Sequence, residues 1–198
     1  MRRILLLLTS ASALAACPTP GARTLVYAFD DGVPQGQLDR DTCVVGVGLR
    51  VDLGPTQSIT FDIASDQQTA VLGTCDLEAG LVSQCFIFDP TIPLEIDGDI
   101  VTGEGMATAT TGDAGCPQTD LISRWRFELE DGADRVNAEV QVEWDLPETD
   151  ACDAFEARIL ETSPGNGRVD GCLVDYTFTG SLVATCRVDP VSGLLECN

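Results

Sequence analysis

The sequence contains no histidine and no lysine. Without histidine, a Ser-His-Asp or Cys-His catalytic arrangement cannot form, and the most frequent general base of enzymes is missing. Without lysine, Ser-Lys dyads, Schiff bases and the phosphate-binding lysine of a Walker A loop are excluded. Only carboxylates remain for acid–base chemistry, and no pair stands out among 32 acidic residues. We therefore expect no catalytic residue, no cofactor and no enzymatic activity.

Positive charge is scarce in general. The chain has 11 basic residues against 32 acidic ones, and its formal net charge is −21. A surface this negative repels phosphate backbones, so nucleic acid is not an expected partner. Anionic lipid headgroups are repelled for the same reason. The composition leaves a protein partner open.

The first seventeen residues have the layout of an export signal. Arg2 and Arg3 precede the apolar run 4–16, which is too short for a membrane span of about 20 residues. The run ends in Leu14-Ala15-Ala16-Cys17, which resembles the lipobox of bacterial lipoproteins, whose cysteine is lipidated and begins the mature protein. An ordinary signal peptide with a chance cysteine is the alternative.

The lipoprotein interpretation predicts the following organisation. Residues 1–16 are a signal peptide, residues 17–23 are the lipidated Cys17 and a tether, and residues 24–198 form a single all-β domain. The resemblance implies that Cys17 attaches the domain to a membrane of the cell envelope, at the outer membrane or the cell surface.

The remaining cysteines are expected to form disulfides. The chain has nine cysteines, so setting Cys17 aside leaves an even number, as an oxidising compartment favours. Zinc is disfavoured because there is no CxxC pair and no histidine. Cys75 with Cys85, and Cys186 with Cys197, lie at the two ends of similar predicted hairpins and would pair across them. The order of the other two bridges is left open among Cys43, Cys116, Cys152 and Cys172.

Alternation of apolar and polar residues with period two dominates the chain. It is clearest in two predicted strands from Leu121 to Trp144, which are joined by a turn containing Asp131-Gly132. If Leu129 faces Val136, one register places apolar pairs on one face and charge pairs, such as Arg126 with Glu139, on the other.

Further strands are predicted at short spacing, which indicates an all-β antiparallel β-sandwich or β-barrel, stapled by disulfides. Segment 150–161 fits either a strand or a short helix, which Thr149 or Asp150 would cap. The other predicted strands are Thr24–Phe29, Cys43–Leu53, Ser58–Ala64, Thr69–Cys75, Leu81–Phe88, Ile100–Ala109, Arg168–Thr179 and Ser181–Val188.

The best calcium candidates are Glu95, Asp97 and Asp99, because carboxylates on loops suit a hard cation. Their spacing fails the EF-hand pattern, since Gly98 lies between the acids. The pattern therefore favours a solvated acidic loop, and no metal site is predicted.

Two classes of function remain for a domain without catalysis. It acts in protein interaction or envelope structure, or it is a binding module. The binding module would hold a small apolar or neutral ligand inside the fold, or would be a calcium-dependent binding domain. The volume of the interior separates the two classes. Bulky inward residues would fill a barrel, whereas the small residues at predicted strand positions would leave room or mark strand bends. These small residues are Gly46, Gly48, Gly103, Gly105 and Ala107.

Overall fold

The structure is a computed structural model that describes residues 22–29, 37–43, 58–78, 81–162, 167–188 and 195–198. Eleven strands and one helix lie in this part of the chain. They are β1 (Arg23–Phe29), β2 (Gln37–Asp41), β3 (Ser58–Ile63), β4 (Thr69–Glu78), β5 (Leu81–Ile87), β6 (Pro93–Asp97), β7 (Ile100–Thr110), β8 (Gln118–Glu130), β9 (Arg135–Asp145), α1 (Asp150–Thr162), β10 (Leu173–Val188) and β11 (Leu195–Cys197).

Eight of the strands close into an antiparallel barrel. The order of neighbours is β1-β3-β4-β6-β7-β8-β9-β10, and β10 pairs with β1 to complete the cycle. Strand β2 pairs with β10, β5 with the second half of β4, and β11 with the end of β10. The prediction of an all-β antiparallel fold is confirmed, and the barrel is the form it takes.

The β8–β9 hairpin has the predicted register. Leu129 lies opposite Val136, and Arg126 lies opposite Glu139. Buried residues alternate with more exposed ones along β9 because every second side chain points into the barrel. The helix is also present, and it occupies Asp150–Thr162.

Several strand boundaries differ from the sequence prediction. The two strands predicted on either side of Gly180 are one continuous strand, β10. Gly180 does not turn the chain; it lets β1 approach, because a Cβ at this position would lie 2.9 Å from the carbonyl oxygen of Ala28. Strands β2 and β6 were not predicted, and β11 was predicted only as the second arm of the Cys186–Cys197 hairpin. Most of the predicted strand Cys43–Leu53 lies outside the described residues, as do Gly46 and Gly48.

The barrel has two distinct ends. At the first, which we call the turn end, short connections join β3 to β4, β6 to β7 and β8 to β9. Arg23, the first residue of β1, lies at this end because it is opposite Ile63, the last residue of β3. At the second, the helix end, longer connections join β7 to β8 and β9 to β10, and the second of these contains α1.

Aromatic side chains fill the interior. Phe61 of β3 and Phe127 of β8 are almost fully buried, and their ring centroids are 4.7 Å apart. Strands β3 and β8 are four places apart in the eight-strand cycle, so this contact joins opposite walls of the barrel. Two further rings extend the cluster: the ring centroid of Tyr27 is 5.5 Å from that of Phe61, and the ring centroid of Trp125 is 6.0 Å from that of Phe127. An eight-stranded barrel is just wide enough to be filled by side chains in this way.

A smaller apolar cluster lies outside the barrel wall. The second half of β4 and strand β5 contribute Cys75 and Val82, which pack against Val26 and Ala184 of β1 and β10. The chain is closely packed at Gly73, where a Cβ would lie 2.4 Å from the carbonyl oxygen of Phe86. The β4–β5 hairpin therefore covers one side of the barrel.

Candidate functional site at the helix end of the barrel

The connections at the helix end are longer than an up-and-down barrel requires. Hairpin connections need only about 2–5 residues, as between β8 and β9, yet residues 146–172 separate β9 from β10. Long connections on a rigid scaffold are where binding residues concentrate. We therefore treat the helix end as the candidate functional site.

Helix α1 begins at a capped N-terminus. The Thr149 hydroxyl accepts a hydrogen bond of 3.2 Å from the backbone N–H of Cys152, and the Thr149 carbonyl accepts one of 3.0 Å from Asp153. Thr149 is thus the cap, one of the two residues that the sequence offered for this role. Asp150 and Asp153 lie in the first turn, where a negative charge stabilises the helix dipole.

One face of α1 packs against the connections at this end of the barrel. Cys152, Phe155 and Ile159 share that face, and they contact a cluster that is separate from the barrel interior. The other members of the cluster are Cys116, Leu146 and Val169.

Two disulfides fasten this end. Cys116, in the β7–β8 connection, is bonded to Cys152 of α1. Cys43 is bonded to Cys172, which directly precedes β10. Except for Cys43, which is 8 % exposed, these cysteines are at most 3 % exposed. The sequence had left open which of these four cysteines pair.

Hydrogen bonds from acidic side chains hold the irregular chain around the helix. The Asp170 carboxylate accepts a hydrogen bond of 2.9 Å from the backbone N–H of Leu146. The Glu156 carboxylate of α1 accepts hydrogen bonds of 3.2 and 3.0 Å from the backbone N–H groups of Val169 and Asp170. Each bond satisfies a backbone donor that has no strand partner.

An ion pair joins α1 to the neighbouring connection. Arg158 of α1 pairs with Asp113, which also accepts hydrogen bonds from the N–H groups of Gly115 and Cys116. The hydrogen bond from Gly115, with those from Cys116 and Arg158, holds the pKa of Asp113 below its ordinary value. Sequence reasoning missed these acidic partners because nothing distinguishes them from the other acids of the chain.

The calcium candidates Glu95, Asp97 and Asp99 lie at the other end of the barrel. Glu95 and Asp97 belong to β6, and Asp99 follows in the turn to β7, so the stretch is a hairpin with exposed acids and not an open loop. Gly98 has a φ of +62°, as a tight turn requires. In the part of the chain that the structure describes, no three acidic or cysteine side chains are grouped closely enough to hold a metal ion.

The small inward residues do not open the interior. A Cβ on Gly103 would lie 2.5 Å from Cδ2 of Leu94, and one on Gly105 would lie 2.7 Å from Cγ1 of Ile92. Neighbouring side chains therefore occupy the space that these glycines leave.

Two open grooves lie on the outer wall, on either side of Arg124. Their volumes are about 400 and 500 Å³. Arg124 donates to Glu143 at 2.7 Å and to Glu104 at 3.1 Å, so its charge is already paired. Exposed ion pairs of this kind contribute about 0–1 kcal/mol and mark a solvated sheet face.

Within the described residues, no helix is long and apolar enough to cross a bilayer. Fold and site together define an up-and-down antiparallel β-barrel with a helical cap held by disulfides. No family model matches the chain, and no curated protein or solved structure is significantly similar to it.

Proposed function

We propose that this chain is an exported bacterial lipoprotein that is attached to a membrane through Cys17. Its domain acts without catalysis, in protein interaction or envelope structure. The contact between Phe61 and Phe127 is the observation that favours interaction at the surface over ligand binding inside the barrel. It occupies the space where an eight-stranded barrel would hold a small ligand, which leaves the outer surface for recognition.

The helix end is the part of that surface we propose for the partner. Six residue steps separate Cys17 from Arg23, so the tether reaches at most about 20 Å. A lipid on Cys17 would hold the turn end near the bilayer and direct the helix end away from it. Rigid irregular segments suit recognition because little conformational entropy is lost on binding.

The chemistry of the partner follows from charge. Asp153 and Glu161 of α1 are exposed, and the whole chain carries a net charge of −21. We propose a protein partner with a basic or neutral surface, because like charges across an interface are unfavourable.

Mass spectrometry of the exported protein tests this proposal. The denatured, non-reduced chain should begin at Cys17, carry an acyl modification there, and lack about 8 Da for four disulfides, two hydrogens each. A Cys17→Ser variant is the control and should carry no acyl group. The native spectrum should show the protein without a small molecule.

Two results would overturn the proposal. An unmodified Cys17 in the exported protein would remove the anchor. A native adduct that dissociates on denaturation would instead support the binding module, and a bound calcium ion would support a calcium-dependent domain.

A further inference from the structure

Two arginines face each other at the turn end of the barrel. Arg23 of β1 lies directly opposite Arg187 of β10 in the antiparallel ladder. Directly opposed residues project from the same face of a sheet with Cβ atoms about 5 Å apart, and like charges in this arrangement are destabilising. The pair is unexpected in a chain with 11 basic and 32 acidic residues.

The surroundings place the pair at the mouth of the barrel. Leu25, two residues after Arg23 on the same face of β1, belongs to the interior cluster, as does Ile63, which lies opposite Arg23 on β3. The outer face of the same strand carries Val26, which packs in the separate cluster outside the barrel wall. Arg23 therefore projects toward the barrel axis, and Arg187, which is exposed, continues the site to the solvent.

One donor atom of the half-buried Arg23 side chain lacks a partner. Its Nε atom is inaccessible to solvent and has no hydrogen-bond partner. Arg124, Arg126 and Arg158 each form an ion pair within 4 Å. Among the described residues, Arg23 and Arg187 form no such ion pair. A buried donor without an acceptor costs about 1–3 kcal/mol, and more for a charged group. The site therefore needs an acceptor that the described residues do not supply.

The carboxylates at this end do not meet that need. Glu196 of β11 lies opposite Arg187, and Asp134 is close enough to Tyr27 to raise the pKa of its phenol. Neither carboxylate forms an ion pair with Arg23 or Arg187 in the described part of the chain. Each guanidinium has five N–H donors, so the described residues leave most donors of the pair to solvent or to a ligand.

We propose that Arg23 and Arg187 together bind a phosphate group at the turn end, and that its source is a lipid headgroup. A tetrahedral oxyanion offers several acceptors and neutralises both cations, and arginine pairs with phosphate through two parallel hydrogen bonds. The headgroup source rests on the proposed anchor, because the short tether from Cys17 ends at Arg23. The pair would be a local exception to the repulsion between this acidic chain and anionic lipid.

Thermal unfolding of the full exported protein in a non-ionic detergent tests the proposal. The probes are inorganic phosphate and the soluble phosphodiester glycerophosphoglycerol, each against chloride at equal ionic strength. At ten times the dissociation constant, both probes should raise the melting temperature by about 3–6 °C. Arg23→Gln and Arg187→Gln should abolish this rise. Arg168→Gln is the matched control, since it removes an exposed arginine at the helix end, and it should retain the rise.

A second readout separates binding from a structural role. Without phosphate, Arg187→Gln should melt at the same temperature as the parent or higher, because it removes the repulsion between the two cations. Arg187 is exposed, so this variant keeps the test available if Arg23→Gln fails to fold.

Several results would contradict the proposal. The arginine pair does not bind phosphate if millimolar phosphate leaves the melting temperature of the parent protein unchanged. The same conclusion holds if phosphate raises the melting temperatures of Arg23→Gln and Arg187→Gln as much as that of Arg168→Gln. A response to inorganic phosphate alone would overturn the headgroup source. The soluble probes do not involve Cys17, so an unmodified Cys17 and a failed phosphate titration are separate results.

Discussion

The two ends of the barrel solve the same connection problem in different ways. At the turn end, residues such as Gly98 and Gly132 with positive φ reverse the chain within a few positions. At the helix end, the chain leaves the barrel for residues 146–172, buries its own small apolar cluster and is held by two disulfides. The tight turns at the turn end are explained by the requirements of the fold alone. The helix end contains more structure than closing a barrel needs, and this difference is why we place recognition there.

The largest expected difference between the ends concerns their disulfides. Cys43–Cys172 closes a loop with a sequence separation of 129, whereas Cys186–Cys197, near the turn end, closes one of 11. Loop-closure entropy predicts that the double alanine variant of the first bridge loses about 5 kcal/mol of unfolding free energy, and that of the second about 3 kcal/mol. Urea unfolding of both variants measures the difference, and equal losses would contradict it.

A second comparison concerns the apolar clusters. Phe127→Ala removes a ring in contact with the opposite wall of the barrel and should cost about 4 kcal/mol. Phe155→Ala, in the small cluster at the helix end, should cost about 2 kcal/mol because the cluster can collapse around the vacancy. The same unfolding experiment provides the values. A smaller cost for Phe127→Ala would mean that the interior is loosely filled.

The turn end should be sensitive to alkaline pH. Burial raises the pKa of Tyr27 to about 12, Arg23 lowers it and Asp134 raises it, and the hydroxyl donates to the carbonyl oxygen of Ala133 at 2.9 Å. The folded pKa of Tyr27 lies above the unfolded value of about 10. The contribution of the neutral phenol to the free energy of unfolding is therefore complete below pH 10 and is lost as the pH rises toward 12. The loss is at most about 2–3 kcal/mol and is measurable as unfolding free energy against pH. Tyr27→Phe should remove the fall in unfolding free energy between pH 10 and 12. If this variant shows the same fall, another group causes it.

The smallest expected effect is local to the helix end. Thr149→Ala removes the hydroxyl that caps α1 and should cost about 1 kcal/mol. Hydrogen exchange of the first-turn amides should accelerate, while the turn end stays unchanged. Thr162→Ala is the matched control, because its hydroxyl only donates back to carbonyls of the last turn. Equal acceleration in both variants would show that the cap does not fix the helix.

The sequence predicts best where one pattern governs both faces of a strand. The register of β8 and β9 follows from the apolar pairs inside and the charge pairs outside, so a shift by one residue would expose every core side chain. The helix was left undecided because Cys152, Phe155 and Ile159 fit a helical face while Phe155, Ala157 and Ile159 alternate like a strand.

Features set by distant contacts could not be predicted. Strand β6 is short, begins with Pro93 and is specified by its place between β4 and β7. Gly180 was interpreted as a break, although its role is to let β1 approach. At the helix end, the pairing of Cys43 with Cys172 depends on the path of the whole chain between them. The acidic residues that accept hydrogen bonds from backbone N–H groups could not be predicted, because no sequence pattern distinguishes them from the other acidic residues of the chain.

The filled interior is the central claim, and the two tryptophans of the chain report on it directly. Trp125 and Trp144 both belong to the interior cluster, and Trp125 stacks on Phe127. Titration of the exported protein with fatty acids, retinoids and small aromatic compounds, followed by tryptophan fluorescence, tests whether a ligand enters. We predict no saturable change with any of them. A saturable change at micromolar concentration, abolished by a bulky substitution such as Ala138→Phe inside the barrel, would show that the interior binds a ligand and would contradict the account.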